Sequence, residues 1–275
     1  MNKIILPILF VLLTVISLSG LDKGEYIWLK LDNAIYYSDM EMPEESFVND
    51  SKVTVIKIDP LPYQLKPVMA DKTGSKRLEA SRWASLFNLV VVSNACFFKE
   101  DGTSPEGYLQ IRKNVRKRFL NPDMSMMILF EPWDENDKQY NFVLTTDPEY
   151  KETLKDYKIA VQGIGLIHEG TALPVPVENT ASFSAVGLDG EGNILFFFSR
   201  SPYDFEKIGS MLLCLSLDIQ ELMLTGKGSE ATLYFENDAS TIRKIGSYEL
   251  GTYISDDNNK NPRLPVIMGI RRKTL

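Results

Sequence analysis

The sequence predicts an α+β protein, with a mixed, largely antiparallel β-sheet and two or more packed helices. Most of its apolar runs are short and rich in β-branched and aromatic residues, which is typical of strands. Two longer stretches instead repeat apolar residues at spacings of three and four, which is typical of helices that pack on a sheet. Strands that outnumber two embedded helices define the α+β class.

The first elements are strands. Residues 25–31 and 33–37 predict a hairpin, and residues 63–69 predict a strand that Pro67 places at a sheet edge or at a bulge. Between them, residues 51–59 alternate in a way that assigns six side chains to two faces: Thr54, Ile56 and Ile58 on one, and Val53, Val55 and Lys57 on the other.

A helix followed by a buried strand comes next. Residues 75–87 place Ala80, Trp83, Ala84 and Phe87 at helical spacing. The chain then enters the uninterrupted apolar run 89–92, which suits a central strand buried on both faces.

The second half also combines strands with a helix. Residues 183–189 and 193–199 flank a tight Gly-Glu-Gly turn and predict a hairpin. A second helix is predicted from apolar residues at spacings of 3, 4, 3 and 4, namely Phe205, Ile208, Leu212, Leu215 and Ile219. The loop 225–229 follows, then a strand from about residue 230, and residues 265–270 supply the final strand.

The domain organisation predicted is a signal peptide over residues 1–20 and one domain over residues 21–275. Lys3, an apolar stretch and terminal small residues form the signal pattern, and an uncleaved membrane anchor is the alternative. Leu21 stands where a bacterial lipoprotein would need cysteine. We therefore expect a secreted, periplasmic or cell-envelope protein, with no linker that would divide its mature part.

The charge balance argues against nucleic acid as a partner. The chain has 30 Lys and Arg and 37 Asp and Glu, and removing residues 1–20 takes away only Lys3, which leaves 29 − 37 = −8. A basic run nevertheless occurs at Arg112, Lys113, Arg116, Lys117 and Arg118. It predicts either a solvated surface or a docking patch for an anionic polymer or a membrane surface.

Metal and disulfide chemistry have little support in the sequence. His168 is the only histidine, so a histidine-rich metal site is excluded, and we expect it in a turn. No cofactor is predicted; calcium would have only acidic stretches that lack the glycine and glutamate of an EF-hand loop. Cys96 and Cys214 could form a disulfide after export or could be two small buried side chains, and free thiols are the prediction.

Polar residues follow several strands at their ends. Asn94 closes the buried strand, Glu106 lies beyond an Asp-Gly turn, and Gln162 stands beside Gly163 after another apolar run. The glycine-bearing loop 225–229 is a fourth such place, although its spacing does not fit a nucleotide-binding P-loop. Such groups gathered at strand ends are the usual plan of a site in a β-rich enzyme.

Taken in order from Val53 to Ile270, these segments resemble the phosphodiester glycosidase family. That family has an Asn-Gly-Gly-Phe/Tyr-Phe strand end, an Asp-Gly-x-Pro-x-Gly element, Gln-x-Gly-Pro-x-Leu, Arg-Thr-Ala-Ile-Gly and Leu-Asp-Gly-Gly-Gly-Ser. The counterparts here are "NACFF", "DGTSPEGYL" with one residue more before its proline, "QGIGLI", "FSAVG" and "LTGKGS". The resemblance implies catalytic positions at Asn94, Glu106, Gln162 and Thr225, and substrate-binding positions at Phe183, Gly163, Gly226, Lys227, Gly228 and Ser229.

The departures from the family pattern bear on activity. Phe183 replaces the family arginine and Thr225 the family aspartate, while Lys227 and Gly165 replace a glycine and a proline. Arginine suits a phosphodiester because its fork contacts two oxygens, and aspartate can serve as acid, base or ligand. Weak or absent turnover is therefore expected. Restoring both residues should raise it, provided that the pocket has not repacked around the phenyl ring.

A purely structural interpretation of the loop stays open. Thr225 and Ser229 could satisfy backbone groups of a turn while Gly226 and Gly228 permit positive φ. Among nearby carboxylates, Asp189 is expected in a hairpin turn and Glu230 at a strand start, which leaves Glu106 as the substitute acid.

Three functions follow as hypotheses. The chain could hydrolyse a sugar-1-phosphodiester in a glycan or envelope polymer, as the resemblance implies. It could instead bind a carbohydrate or phosphosugar without catalysis, or act as an envelope interaction protein with no small ligand.

Overall fold

The helices and strands are short and follow one another closely. The computed structural model describes residues 26–69, 77–112, 114–176, 179–249 and 255–273, so the predicted signal segment lies outside the described residues. The strands are β1 (Leu29–Asp32), β2 (Ile35–Glu41), β3 (Lys52–Ile58), β4 (Tyr63–Met69), β5 (Leu78–Glu79), β6 (Val91–Asn94), β7 (Leu109–Ile111), β8 (Asn114–Lys117), β9 (Met126–Pro132), β10 (Tyr140–Leu144), β11 (Tyr157–His168), β12 (Thr171–Ala172), β13 (Thr180–Asp189), β14 (Ile194–Asp204), β15 (Ile219–Lys227), β16 (Thr232–Glu236), β17 (Thr241–Ile245), β18 (Arg263–Leu264) and β19 (Val266–Arg272). The helices are α1 (Ala80–Phe87), α2 (Tyr150–Lys155) and α3 (Phe205–Leu213).

Two sheets form the body of the molecule. The larger has the order β1-β2-β3-β14-β13-β15-β11-β7-β8, with β9, β10 and β12 attached beside it, and the smaller has the order β17-β16-β6-β19-β4. The pairings within the described ranges are antiparallel, including the predicted β1–β2 and β13–β14 hairpins. The prediction of an α+β fold with a largely antiparallel sheet is confirmed.

The core lies in three layers set by the two faces of each sheet. Ile56 and Ile58 pack between the sheets, whereas Val53 and Val55 on the other face of β3 pack with residues of α3. Trp83 of α1 packs on the outer face of the smaller sheet. The predicted alternation of β3 is therefore confirmed, and each sheet separates a helix from the central core.

Other local predictions are confirmed or corrected by the strand order. β6 lies inside the smaller sheet and β4, which carries Pro67, lies at its edge, as predicted. The second of the two predicted helices corresponds to α3 and is shorter than predicted. Ser216 and Asp218 adopt left-handed backbone angles, with φ of 52° and 48°, so the helix does not continue through them. Ile219 therefore begins β15 instead of extending α3.

His168 ends strand β11 and does not lie in a turn, so that expectation was wrong. Its Nδ1 atom lies 2.9 Å from Oε2 of Glu221, which fixes the ring against the neighbouring strand. Within the described ranges, no helix has the length and apolar character needed to cross a membrane.

Candidate functional site

Asn94 at the end of β6 joins three segments. Its Oδ1 accepts hydrogen bonds from the Thr232 backbone N–H (2.8 Å) and the Ser184 hydroxyl (2.9 Å), and its Nδ2 donates to the Glu230 carbonyl (3.0 Å). These bonds explain why a buried amide is tolerated here, because each one replaces a lost contact with water. They also fix the end of β6 against β13 and the loop before β16.

The glycine-bearing loop passes directly over Asn94. β13 and β15 slip out of register where Ser184 pairs with Gly226 and Ala185 pairs with Leu224, which makes Thr225 the extra residue of a β-bulge. A Cβ atom on Gly226 would lie 2.4 Å from Cγ of Asn94, so only glycine fits this crossing. Gly228 then adopts a φ of +59° and opens a short 3-10 turn over Gly228–Glu230.

A polar cleft of about 460 Å³ opens above this crossing. Five of the predicted site residues line it: Asn94, Glu106, Gly226, Lys227 and Ser229. They come from the end of β6, the segment after it, and the end of β15 with the turn that follows, so the fold brings together residues that lie more than a hundred positions apart in the sequence. The cleft is the candidate functional site.

The cleft is rich in carboxylates. Glu106, Glu230 and Glu249 all line it, and the Arg77 Nη2 atom lies 3.5 Å from Oε1 of Glu230. Burial raises the pKa of the Glu230 carboxyl above its ordinary value, and the charges of Glu249 and Glu106 raise it further, against the opposing effects of Arg77 and Lys227. The raised pKa favours the protonated form of Glu230.

Sequence reasoning had set Glu230 aside as the first residue of a strand, which was wrong. It ends the 3-10 turn, and β16 begins only at Thr232. Glu249 was missed altogether, because no local signal marks a residue that reaches the cleft from a segment far along the chain. Asp189 does serve the hairpin turn as predicted, since its Oδ1 accepts from the Glu191 and Asn193 N–H groups.

Four basic and aromatic residues complete the lining. Lys227 extends its ammonium over the Phe97 ring, with Nζ 5.7 Å from the ring centroid. Lys99, Glu100 and Phe98 lie in the segment that follows β6 and also line the cleft. A cation held over an aromatic face beside polar groups can bind an anion or a sugar ring.

Gln162 lies away from the described lining of the cleft. It is fully buried, and its Oε1 accepts from the Tyr108 and Asn121 N–H groups while its Nε2 donates to the Asn121 and Met124 carbonyls. All of its amide groups are therefore engaged in holding two loops. Gly163 beside it permits close packing, since a Cβ there would lie 2.8 Å from the Leu224 carbonyl oxygen.

Phe183 and Thr225 also point away from the cleft. The Phe183 ring is completely buried in the core cluster that includes α3, with its centroid 6.3 Å from that of Tyr203. Thr225 is equally buried, and its hydroxyl donates to the Ser184 carbonyl at 3.3 Å. The region around the phenyl ring is therefore apolar core and leaves no room for a charged group.

The described residues of the basic run have different surroundings. Arg112 pairs with Glu131 at 3.3 Å, Lys117 donates to the Glu106 carbonyl, and Arg118 is exposed. Arg116 lies in β8, and Lys113 lies outside the described residues. Across the described ranges, no three His, Cys, Asp or Glu residues form a group able to hold a metal ion.

Comparison with known proteins shows a shared fold. No protein-family model matches the sequence, and none of the curated proteins is significantly similar to it. The catalytic domain of zebrafish N-acetylglucosamine-1-phosphodiester α-N-acetylglucosaminidase superposes with a TM-score of 0.61 at 12% identity, over 87% of this chain and 82% of that one. A hypothetical protein from Synechocystis superposes with a TM-score of 0.60 at 12% identity, over 92% of this chain and 64% of that one.

These structures define the class to which the fold belongs. The chain has a phosphodiester-glycosidase-like fold, similar to that of the zebrafish catalytic domain. At 12% identity the likeness concerns the fold alone, and the chain spans less than two thirds of the Synechocystis protein.

The two thiols should differ sharply in reactivity. Both are free: Cys96 is buried at the cleft and Cys214 is exposed, which corrects the idea of two buried side chains. Burial, and secondarily the charge of Glu106, raises the pKa of the Cys96 thiol far above its ordinary value. We expect a maleimide to label Cys214 in the native protein about 100-fold faster than Cys96, because the thiolate is the reactive form. Mass spectrometry of timed samples measures this.

The control for the labelling experiment is Cys214→Ser, which should leave only the slow site until urea unfolds the chain. Equal rates at both thiols would contradict the burial of Cys96. A native chain that takes up no label before reduction would mean that the two cysteines are bridged.

Proposed function

We propose that this chain is an exported phosphodiester-glycosidase-like hydrolase with weak activity on a sugar-1-phosphodiester in a glycan or envelope polymer. The observation that carries the proposal is Glu230, a carboxyl with a raised pKa, facing Glu106 and Glu249 in one polar cleft. The shared fold with the zebrafish catalytic domain supports it, and so does the order of the resembling motifs. Export is proposed from the signal pattern of residues 1–20.

Glycoside hydrolysis needs two carboxyl groups in opposite protonation states. One protonates the leaving oxygen while the other activates a water molecule or attacks the anomeric carbon. Glu230 has the environment of the acid, and Glu106 and Glu249 are the carboxyl groups of the same cleft that we assign to the second role. Each group keeps its role only if their pKa values differ, which burial of Glu230 and its neighbours' charges bring about.

Substrate oxygens have donors in the same cleft. The Asn94 Nδ2 atom carries two N–H groups, of which one is used by the Glu230 carbonyl, and within the described residues the second has no acceptor. Lys227 provides a positive charge at the cleft wall. We assign both to the sugar-phosphate portion of the substrate.

The charge of the cleft accounts for the low turnover that we expect. Four glutamates, Glu100, Glu106, Glu230 and Glu249, share it with only two lysines, Lys99 and Lys227. A phosphodiester anion is repelled by such a surface unless Glu230 is protonated. The family arginine and aspartate have no charged counterpart here. The uncharged residues Phe183 and Thr225 stand at their positions and are buried outside the lining of the cleft.

A non-catalytic carbohydrate or phosphosugar binder is the second candidate. It is favoured by the loss of the family aspartate, because Thr225 stands at that position and its hydroxyl is hydrogen-bonded to the Ser184 carbonyl. In that case Asn94, Lys227 and Phe97 would hold a ligand that is released unchanged. An envelope interaction protein with no small ligand would use neither the cleft nor its carboxylates.

Glu230→Gln is expected to lower the turnover of an aryl phosphodiester of N-acetylglucosamine by about 10²-fold or more, the usual contribution of a general acid. In the unmodified protein, activity should fall as the pH rises through the raised pKa of Glu230, because the acid form is lost. The variant should lack this fall. Released N-acetylglucosamine is quantified by chromatography across a pH series.

Two controls make the experiment specific. In ¹⁸O-labelled water the label should enter the sugar, because the bond to the anomeric carbon breaks, whereas label in the aryl phosphate would indicate an ordinary phosphodiesterase. Glu100→Gln changes an exposed carboxyl at the rim of the same cleft and should not lower turnover, because it removes only one charge that repels the substrate. Saturable binding of the phosphosugar with no labelled product would support the binder, and neither binding nor turnover would remove both functions.

A further inference from the structure

A second cavity, of about 310 Å³, lies between the edge strand β4 and the strands β7, β9 and β11. It shares none of its described lining residues with the candidate cleft. Its lining is mostly apolar and includes Val68, Met69, Phe87, Leu89, Ile111 and Ile159. A concave apolar cavity of this size is the form that proteins use for small ligands.

The rim of this cavity is positively charged. Glu131 is engaged at both carboxylate oxygens, by Lys66 Nζ at 3.1 Å and by Arg112 Nε at 3.3 Å. Arg271 lines the same rim, is exposed, and makes no side-chain ion pair or hydrogen bond with any described residue. Among the described lining residues, three cations therefore face one carboxylate, which leaves two positive charges above an apolar floor in an otherwise acidic protein.

The backbone holds this rim in an unusual conformation. Arg112 and Glu131 both have a φ of 55°, in the left-handed region that residues with a Cβ atom seldom adopt. Arg112 turns the chain between β7 and β8, and its N–H donates to the Lys158 carbonyl at 2.7 Å, which holds the turn against β11. The ion pair is thus formed by two residues whose backbone places them at the mouth of the cavity.

We propose that this cavity binds an anionic amphiphile, a molecule with one apolar chain and a single carboxylate or phosphate head. The chain would occupy the apolar floor, and the head would lie at the rim beside Arg271 and Lys66. A small hydrated anion would gain no binding energy from the apolar lining of the cavity. A neutral lipid would gain none from the positive charge at the rim. The combination selects molecules that carry both parts.

Isothermal titration calorimetry with dodecanoate and dodecyl phosphate, each below its critical micelle concentration, tests the proposal. We expect one molecule bound per chain, and Kd rising about fourfold for each methylene removed from the chain. Comparing the two heads distinguishes carboxylate from phosphate as the preferred anion. Dodecyltrimethylammonium and dodecyl maltoside, with the same chain and no anion, should bind at least about 10-fold more weakly.

Arg271→Gln should weaken binding of the anionic probes about 5- to 10-fold without affecting the neutral one. The fold should tolerate it because Arg271 is exposed and unpaired among the described residues. Arg118→Gln, the same change at an exposed arginine outside the cavity lining, is the matched control and should bind normally.

Three results would overturn the proposal. These are equal affinity for the neutral and anionic probes, unchanged binding of the anionic probes by Arg271→Gln, and binding to anionic phospholipid vesicles with none to the monomeric probes. The last would locate the interaction on the outer surface. None of them bears on the hydrolysis proposed for the candidate cleft, because the two cavities share no described lining residue.

Discussion

Replacing Phe183 by arginine is expected to unfold the protein instead of creating an arginine-bearing phosphodiester site. The residue has 0% exposure, belongs to the apolar core cluster that includes α3, and lies against the Tyr203 ring. The change removes a packed phenyl ring, which costs about 3–5 kcal/mol, and buries an unpaired charge, which costs several kcal/mol more. Since domains of this kind are stable by about 5–15 kcal/mol, little folded protein should remain. Urea unfolding followed by circular dichroism measures it.

Phe183→Leu is the matched control, because it keeps the site apolar and should cost only about 1.5 kcal/mol. Thr225→Asp should also destabilise, since a buried carboxylate would face the Ser184 carbonyl that now accepts the threonine hydroxyl. The condition attached to the restoration experiment, that the pocket has not repacked around the ring, is therefore not met. A stable Phe183→Arg, Thr225→Asp protein with increased hydrolysis would show that this part of the core opens readily.

Much of the fold could be predicted because its signals are local. The alternation of β3 assigned its two faces correctly, since a strand with an apolar layer on each side must alternate in this way. Pro67 placed β4 at a sheet edge because proline cannot donate to a neighbouring strand. The end of α3 was missed because two left-handed residues stop the helix, although the apolar spacing continues past it.

The site was harder, because a motif fixes the position of a residue but not the direction of its side chain. Asn94, Glu106, Gly226, Lys227 and Ser229 line one cleft, whereas Gln162 is turned inward and binds two loops. The β-bulge at Thr225 adds one residue to β15, so the side chains after it point to the opposite faces of the sheet from those that strict alternation predicts. No sequence pattern indicates this bulge. Glu249 enters the cleft through tertiary contact alone.

The effects of Gly226→Ala and Asn94→Ala on the free energy of unfolding should be coupled, because the two residues are in direct contact. Gly226→Ala places a methyl group 2.4 Å from Asn94 Cγ and 2.5 Å from Ser184 Oγ, which should cost about 2–3 kcal/mol of unfolding free energy. Asn94→Ala leaves the Thr232 N–H and the Ser184 hydroxyl without their partner, at a cost of about 3 kcal/mol, whereas the Glu230 carbonyl keeps the hydrogen bond from the Thr232 hydroxyl. Both values come from urea denaturation.

The double variant should lose at least about 1 kcal/mol less than the sum of the two single changes, because the shortened side chain at position 94 leaves room for the new methyl group. Gly192→Ala is the control: its φ of +83° makes alanine strained, yet no atom lies within 4 Å of the added Cβ. Its cost should therefore be additive with Asn94→Ala. If the cost of Gly226→Ala were also additive with that of Asn94→Ala, the segment that carries Gly226 would be able to move away from β6. The cleft would then be a deformable surface, and the positions of Lys227 and Glu230 would not be set by the glycine beneath them.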